Sequence, residues 1–446
     1  MKKRKYLPTL IAAALLAALV GGAMYWEKRK EAEPPKPESG ASSEKLLPVE
    51  IKNVQSFRIK NSSGEFVTCQ REGEKWAITE PKKFTADESA IESLLTSLVG
   101  ASVDQVVDPK PASLRDFGLD VPSLTLELTT NAKPEKFSLS LGDETPTGGG
   151  VYALTGENPR VITLASFLKT SLDKNVFDLR DKRIVSIPSG QINRIEVASK
   201  SGRWTLSKNP QGIWDLVLPP AVRADRFTAE GVVSRLDTGK MQSVVAEDKQ
   251  NTGKYGFGAP EVVVKISGAG VTETLTIGRK EGSRYYAMNS ALDPVFTLDG
   301  NFLTDYEKNA SDIRAKDLFT YSTFEVKRLE ALSPAGSRTF EKQAGNKWKQ
   351  TAPAAKDVTT EKVEALLDKL RDLRAESFPA SEKLDQYGLT QPAYRFKVDF
   401  GDKNETETVD AAKAGEHSYG RRSTDILPSE ISKTALEEID KALKEL

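Results

Sequence analysis

Asp116-Phe117-Gly118-Leu119-Asp120-Val121-Pro122 returns as Tyr255-Gly256-Phe257-Gly258-Ala259-Pro260 and again as Tyr387-Gly388-Leu389-Thr390-Gln391-Pro392. Each copy holds an aromatic residue, a glycine, an apolar residue, two free positions and a proline. Residues 114–117 and 384–387 fit a single helical turn with the glycine just beyond it, where a positive φ carries no steric cost for glycine. The proline blocks continuation of the helix and pushes the residue before it toward the extended region. The box therefore reads as a stop-and-turn device that aims the next strand. Its other positions differ between copies: Asp116 and Asp120, Lys254 and Ala259, Gln386 and Gln391. Shared chemistry would require those to match, whereas a turn does not.

A longer register surrounds the box. Trp76, Trp214 and Trp348 lie 138 and 134 residues apart, each preceded by a glycine turn (Gly73, Gly212, Gly345) and followed five residues later by a proline (Pro81, Pro219, Pro353). Eleven residues after each Trp stands a helix N-cap candidate: Asp87, Asp225 and Thr359. Four apolar positions follow at i, i+3, i+4 and i+7, the spacing of one buried helix face. They are Ile91, Leu94, Leu95 and Leu98, then Ala229, Val232, Val233 and Leu236, then Val363, Leu366, Leu367 and Leu370. The box glycine comes 42, 42 and 40 residues after the Trp.

Beyond each box the pattern changes to period two, the mark of a half-buried strand. Its inward sets are Leu124, Leu126, Leu128; Val262, Val264, Ile266; and Tyr394, Phe396, Val398. Copies one and two then share a strand ending in Leu141-Gly142 or Ile277-Gly278 and a Tyr-Ala strand (Tyr152-Ala153, Tyr286-Ala287). They also share a strand running into a short helix (161–168, 295–303) and an Asp-x-Arg-x-Lys exit (Asp178, Arg180, Lys182; Asp312, Arg314, Lys316). The third copy is degenerate here and ends in a charged helix over 428–446. The expected class is α+β: three tandem repeats of a mainly antiparallel sheet, each with one longer helix and a short one. The repeats span 49–183, 184–317 and 318–446.

Residues 7–26 contain no charge and follow the basic Lys2-Lys3-Arg4-Lys5. Twenty residues at about 1.5 Å each match a hydrocarbon core of about 30 Å. Residues 1–26 thus read as a single transmembrane anchor, with the N-terminus cytoplasmic and the bulk of the chain exported. Residues 27–48, with Pro34, Pro35, Pro37 and Pro48 among charges, read as a linker. Lys+Arg and Asp+Glu are 64 each, which argues against a nucleic-acid partner. One cysteine, Cys69, excludes an intramolecular disulfide, and one histidine, His417, excludes a His-rich metal site.

The Gly-x-x-Trp or Gly-x-Trp hairpin, the Trp-x4-Pro step, the capped helix and the aromatic-Gly-apolar-x-x-Pro box together resemble the domain-of-unknown-function family numbered 4340. The resemblance covers about residues 48–446 and is poorest in the last third of copy three. It implies a bacterial envelope protein with one N-terminal membrane helix and tandem units outside the membrane. It also implies an accessory role beside an ABC-type transport system, and it supplies no catalytic residues to carry over.

No residue pattern points to catalysis, a cofactor or a metal. Structural packing is the expected role of the repeated tryptophans, of the box and of Cys69, which aligns near Leu206 and Phe340. The glycine-rich stretch 142–150 lacks the Lys-Ser/Thr ending and following helix of a phosphate loop and reads as a hairpin. The Asp-x-Arg-x-Lys exits read as charges pairing between units, and Arg421-Arg422 beside His417 as a solvated hairpin. The expected function is a non-enzymatic scaffold or adaptor, anchored in the bacterial inner membrane, facing the periplasm and binding envelope or transporter proteins. The alternative is a binding module for cell-wall glycan or another envelope ligand, using exposed aromatics such as Tyr152, Tyr286 and Tyr419.

Overall fold

The computed structural model describes residues 44–446 except 157–159, 218–221 and 380. The expected anchor (1–26), most of the linker, and Pro219 of the repeat signature lie outside the described residues. Among the described residues no helix is long and apolar enough to cross a membrane. The chain divides into two compact units after Lys182. The first holds copy one; the second holds copies two and three.

Copy one runs β1 (Val54–Lys60), β2 (Phe66–Glu72), β3 (Lys75–Glu80), β4 (Phe84–Thr85), a helix (Glu88–Gly100), β5 (Gln105–Asp108), a 3-10 turn (Arg115–Phe117), then β6 (Leu124–Thr130), β7 (Lys136–Glu144), β8 (Gly150–Thr155) and β9 (Val161–Ala165). These strands form one antiparallel sheet in the order β4-β3-β2-β1-β6-β7-β8-β9-β5. The sheets within 192–299 and 326–431 repeat this order strand for strand. The class is a mainly β form of α+β. The third copy, degenerate in sequence, keeps all nine strands.

β4 and β5 are opposite edges of the sheet, so the helix that joins them must cross its face. Ile91, Leu94, Leu95 and Leu98 point inward and join Leu124, Leu126 and Leu128 in one core. Burying each such side chain contributes about 1.5–3 kcal/mol. On the other face Glu127 and Thr129 meet solvent. In the second copy Ala229, Val232 and Leu236 are buried but Val233 only half so; in the third all four expected positions are buried.

Asp87 accepts from the Ala90 N–H and Asp225 from the Thr228 N–H, the expected caps. Thr359 sits at the N-cap of Thr360–Arg371 without a side-chain hydrogen bond, so it caps by backbone position alone. The box is a 3-10 turn closed by a left-handed glycine in every copy: Gly118, Gly256 and Gly388 at φ 66°, 83° and 69°. In copy one the turn also sits directly on β7. A Cβ on Gly142 would stand 2.1 Å from the Phe117 carbonyl oxygen, so that strand glycine is required as well. The third copy has Ala412 at the corresponding position.

Several boundaries move. Leu46 and Leu47 are buried, and the Leu46 N–H donates to the Ala101 carbonyl, so the end of the expected linker packs into the first module. The expected helix over 428–446 is a strand, Ser429–Ile431, followed by a helix, Lys433–Lys444. Leu436, Ile439 and Leu443 of that helix are buried. The first copy has two short helices at the corresponding place, Phe167–Leu172 and Val176–Leu179.

Candidate functional site

The repeated residues go into structure. Trp76, Trp214 and Trp348 are buried, and Trp76 packs 5.5 Å from Phe57. Pro81 and Pro353 stand between strands Lys75–Glu80 and Phe84–Thr85 and between Trp348–Ala352 and Lys356–Asp357. Pro122, Pro260 and Pro392 precede strands that begin at Leu124, Val262 and Tyr394. The box aromatic meets a tyrosine of its own sheet in each copy. The ring centroids are 5.1 Å apart for Phe117–Tyr152, 4.8 Å for Tyr255–Tyr286 and 4.6 Å for Tyr387–Tyr419. Tyr286 is buried and Tyr152 and Tyr419 are half-buried, so the tyrosines expected to stack on sugars are engaged within the fold.

Cys69 is buried opposite Phe57, where Leu206 stands opposite Ile195 and Phe340 opposite Leu329. Burial pushes its thiol up to about 12. His417 is exposed, with Nδ1 2.5 Å from Glu430. The stretch 142–150 is the β7–β8 hairpin, closed by Thr145 N–H to Gly150 O at 2.8 Å.

The exit acids serve their own modules. Asp178 and Asp312 complete capping boxes with Asn175 and Asn309. Arg314 does reach the next module, but through carbonyls and a ring: its Nη2 donates to Leu427 O and Pro428 O, and its guanidinium lies 4.0 Å from the Phe378 ring centroid. Burial lowers its pKa to about 10. Arg422, read as solvated, is enclosed and donates to Glu407. Burial pulls its pKa down.

Glu407 and Glu273 form a set that the repeat pattern did not disclose. Glu273, opposite Ile266, is 2% exposed and accepts from the N–H groups of Ser186 and Ile187 and from Asn289 Nδ2. Glu407, opposite Val398, is 3% exposed and accepts from Thr320 N–H and Oγ1 and from Arg422. Each carboxylate holds the segment that enters its own sheet. Those segments, Ile184-Val185-Ser186-Ile187 and Leu318-Phe319-Thr320-Tyr321, match Leu46-Leu47-Pro48-Val49 of copy one. The signal was available as three apolar-apolar-x-apolar runs at the repeat spacing. Among the described residues no group of three or more His, Cys, Asp or Glu could hold a metal ion.

A cleft of about 1090 Å³ lies between copies two and three within the second unit. Ile213, Trp214, Arg226 and Phe227 line one wall; Phe319, Arg371 and Arg374 line the other. Its cations are paired: Arg226 with Glu230 at 2.8 Å, Arg371 with Asp372 at 3.0 Å and Arg374 with Asp317 at 3.0 Å. Ile213 and Phe227 are 60% and 80% exposed.

The sequence profile of the family described as Domain of unknown function (DUF4340) matches residues 76–215 and 214–392. Each match opens on a hairpin tryptophan, Trp76 or Trp214, so the profile runs out of phase with the sheets. No curated protein and no solved structure matched the chain. The chain belongs to the DUF4340 family.

Proposed function

We propose that this family member is a non-catalytic scaffold whose sheet modules display docking surfaces to other proteins. The observation that carries the reading is the use of the repeated residues in caps, turns, core positions and aromatic pairs. The exposed positions at which the copies differ are then what is displayed. The apolar run 7–26 anchors the chain in the bacterial inner membrane and the modules stand in the periplasm, within reach of envelope proteins, an ABC-type transport system among them.

The test is photo-crosslinking in cells from residues placed on each module, followed by mass spectrometry. The same envelope or transporter proteins should be recovered from several positions on the full chain. Recovery of no protein above background from any module would overturn the reading. Protease added from the periplasmic side should digest all three modules; protection of the modules would overturn the orientation.

A further inference from the structure

The three copies act as internal controls for what this fold needs at each position. Ile213 corresponds to Lys75 and Lys347, and Phe227 to Ser89 and Glu361. The sister modules build the same nine-stranded sheet with polar residues at both places. Copy two puts an isoleucine and a phenylalanine there and leaves them 60% and 80% exposed. Burial does not explain them.

A third departure lies beside them. The first residue of the long helix is Glu88 in copy one and Thr360 in copy three, and each accepts from the N–H of its module's tryptophan, at 2.8 and 3.3 Å. Copy two has Arg226, which cannot accept and sits where a cation is disfavoured by the helix dipole. Arg226 instead pairs with Glu230 on the surface. Three neighbouring residues thus depart from what the fold prefers, and all three line the cleft. Such local departures mark functional positions, and arginine with aromatic anchors is the composition of binding hot spots.

We propose that this cleft docks a segment of a partner protein that carries apolar side chains flanked by carboxylates; the proposal rests on the scaffold reading and names the partner's chemistry. Ile213 and Phe227 supply the apolar contact. The charge that copy two adds selects the flanks: Arg226, 80% exposed, stands where the sister copies carry Glu88 and Thr360, whereas Arg223 and Arg422 of the lining are already paired with Asp425 and Glu407. A partner carboxylate can replace Glu230 on Arg226 or Asp372 on Arg371, since both acids are more than half exposed.

The test uses the full chain and short synthetic peptides built from Leu, Phe and Glu, with Leu/Phe/Lys and Ser/Glu peptides as controls, read by fluorescence anisotropy. The Leu/Phe/Glu peptide should bind, more weakly as salt is raised. Ile213→Lys with Phe227→Ser, which installs residues the sister modules carry, should weaken binding by about tenfold or more. Phe324→Ser, at an 89% exposed residue outside the cleft, should leave it unchanged. Equal binding of the basic peptide, no binding of the acidic one, or indifference to the double variant would overturn the proposal. Self-association of the chain lost in the double variant would assign the face to a second copy and would also overturn it. If crosslinks form elsewhere on the chain but not from residues 213 or 227, the scaffold reading stands and this cleft is not its site. If no crosslinks form anywhere, the scaffold reading itself fails.

Discussion

Opposite the third inward residue of its central strand, copy one carries Phe137 and copy two carries Glu273. The same point of the same sheet is filled by a half-buried ring in one module and by a buried carboxylate in the next. The entering segment accounts for the difference. Copy one passes this point with Pro48, which has no N–H to satisfy. Copy two passes it with Ser186, whose N–H and hydroxyl both donate to Glu273. Copy three follows copy two with Thr320 and Glu407, and adds Arg422 where copy two has Asn289. A buried acid is held here because the chain beside it brings donors, and where the donors are gone an apolar residue suffices.

The largest effect should come from breaking the most charged version. Glu407→Leu leaves Arg422 enclosed without its carboxylate and should cost about 3–5 kcal/mol in urea unfolding of the full chain. Glu273→Leu strands neutral donors only and should cost about 2–3 kcal/mol. Amide exchange at Ser186 and Ile187 should rise with it. The comparison is sharpened by converting copy two to the solution of copy one: Ser186→Pro, Glu273→Phe and Asn289→Thr together should recover at least half of that loss. Recovery of nothing would show that the two versions are not alternatives.

A smaller contrast separates the helix caps. Asp225→Ala should cost about 1 kcal/mol, because the Thr228 N–H loses its acceptor. Thr359→Ala should cost less than about 0.5 kcal/mol, since that side chain makes no capping bond. Equal losses would mean that the caps do not differ as described.

The smallest effect is set by pH at the edge of the third sheet. Hydrogen bonds from Ser377 and then His417 hold the Glu430 carboxyl below its ordinary value of 4.5. A carboxyl depressed in the folded state contributes stability above its unfolded pKa and loses it as pH falls through the folded one. Acidification below 4.5 should therefore destabilise the native chain more steeply than the Glu430→Gln variant. Parallel curves would exclude the contribution.

Much of this architecture was legible in the sequence, for identifiable reasons. The helix faces, inward strand sets and box glycines are local periodicities or single-residue backbone demands. The edge strands Phe84–Thr85 and Lys356–Asp357 were not legible, because two residues carry no alternation. Glu273 and Glu407 were missed because what each needs lies 87 residues away in the entering segment. Arg422 looked solvated beside Arg421 because only tertiary placement reveals the acid beneath it. The cleft residues Ile213 and Phe227 were visible as letters, but their exposure was not.

The long helix has a mechanical consequence. It is tied to the sheet at both rims, through β4 before its first residue and β5 after its last. A sheet normally ravels from an edge, one strand at a time. Here neither rim can peel without dragging on the brace, whose inner face is seated in the core. Each module should therefore resist tension as a unit and let go in a single step.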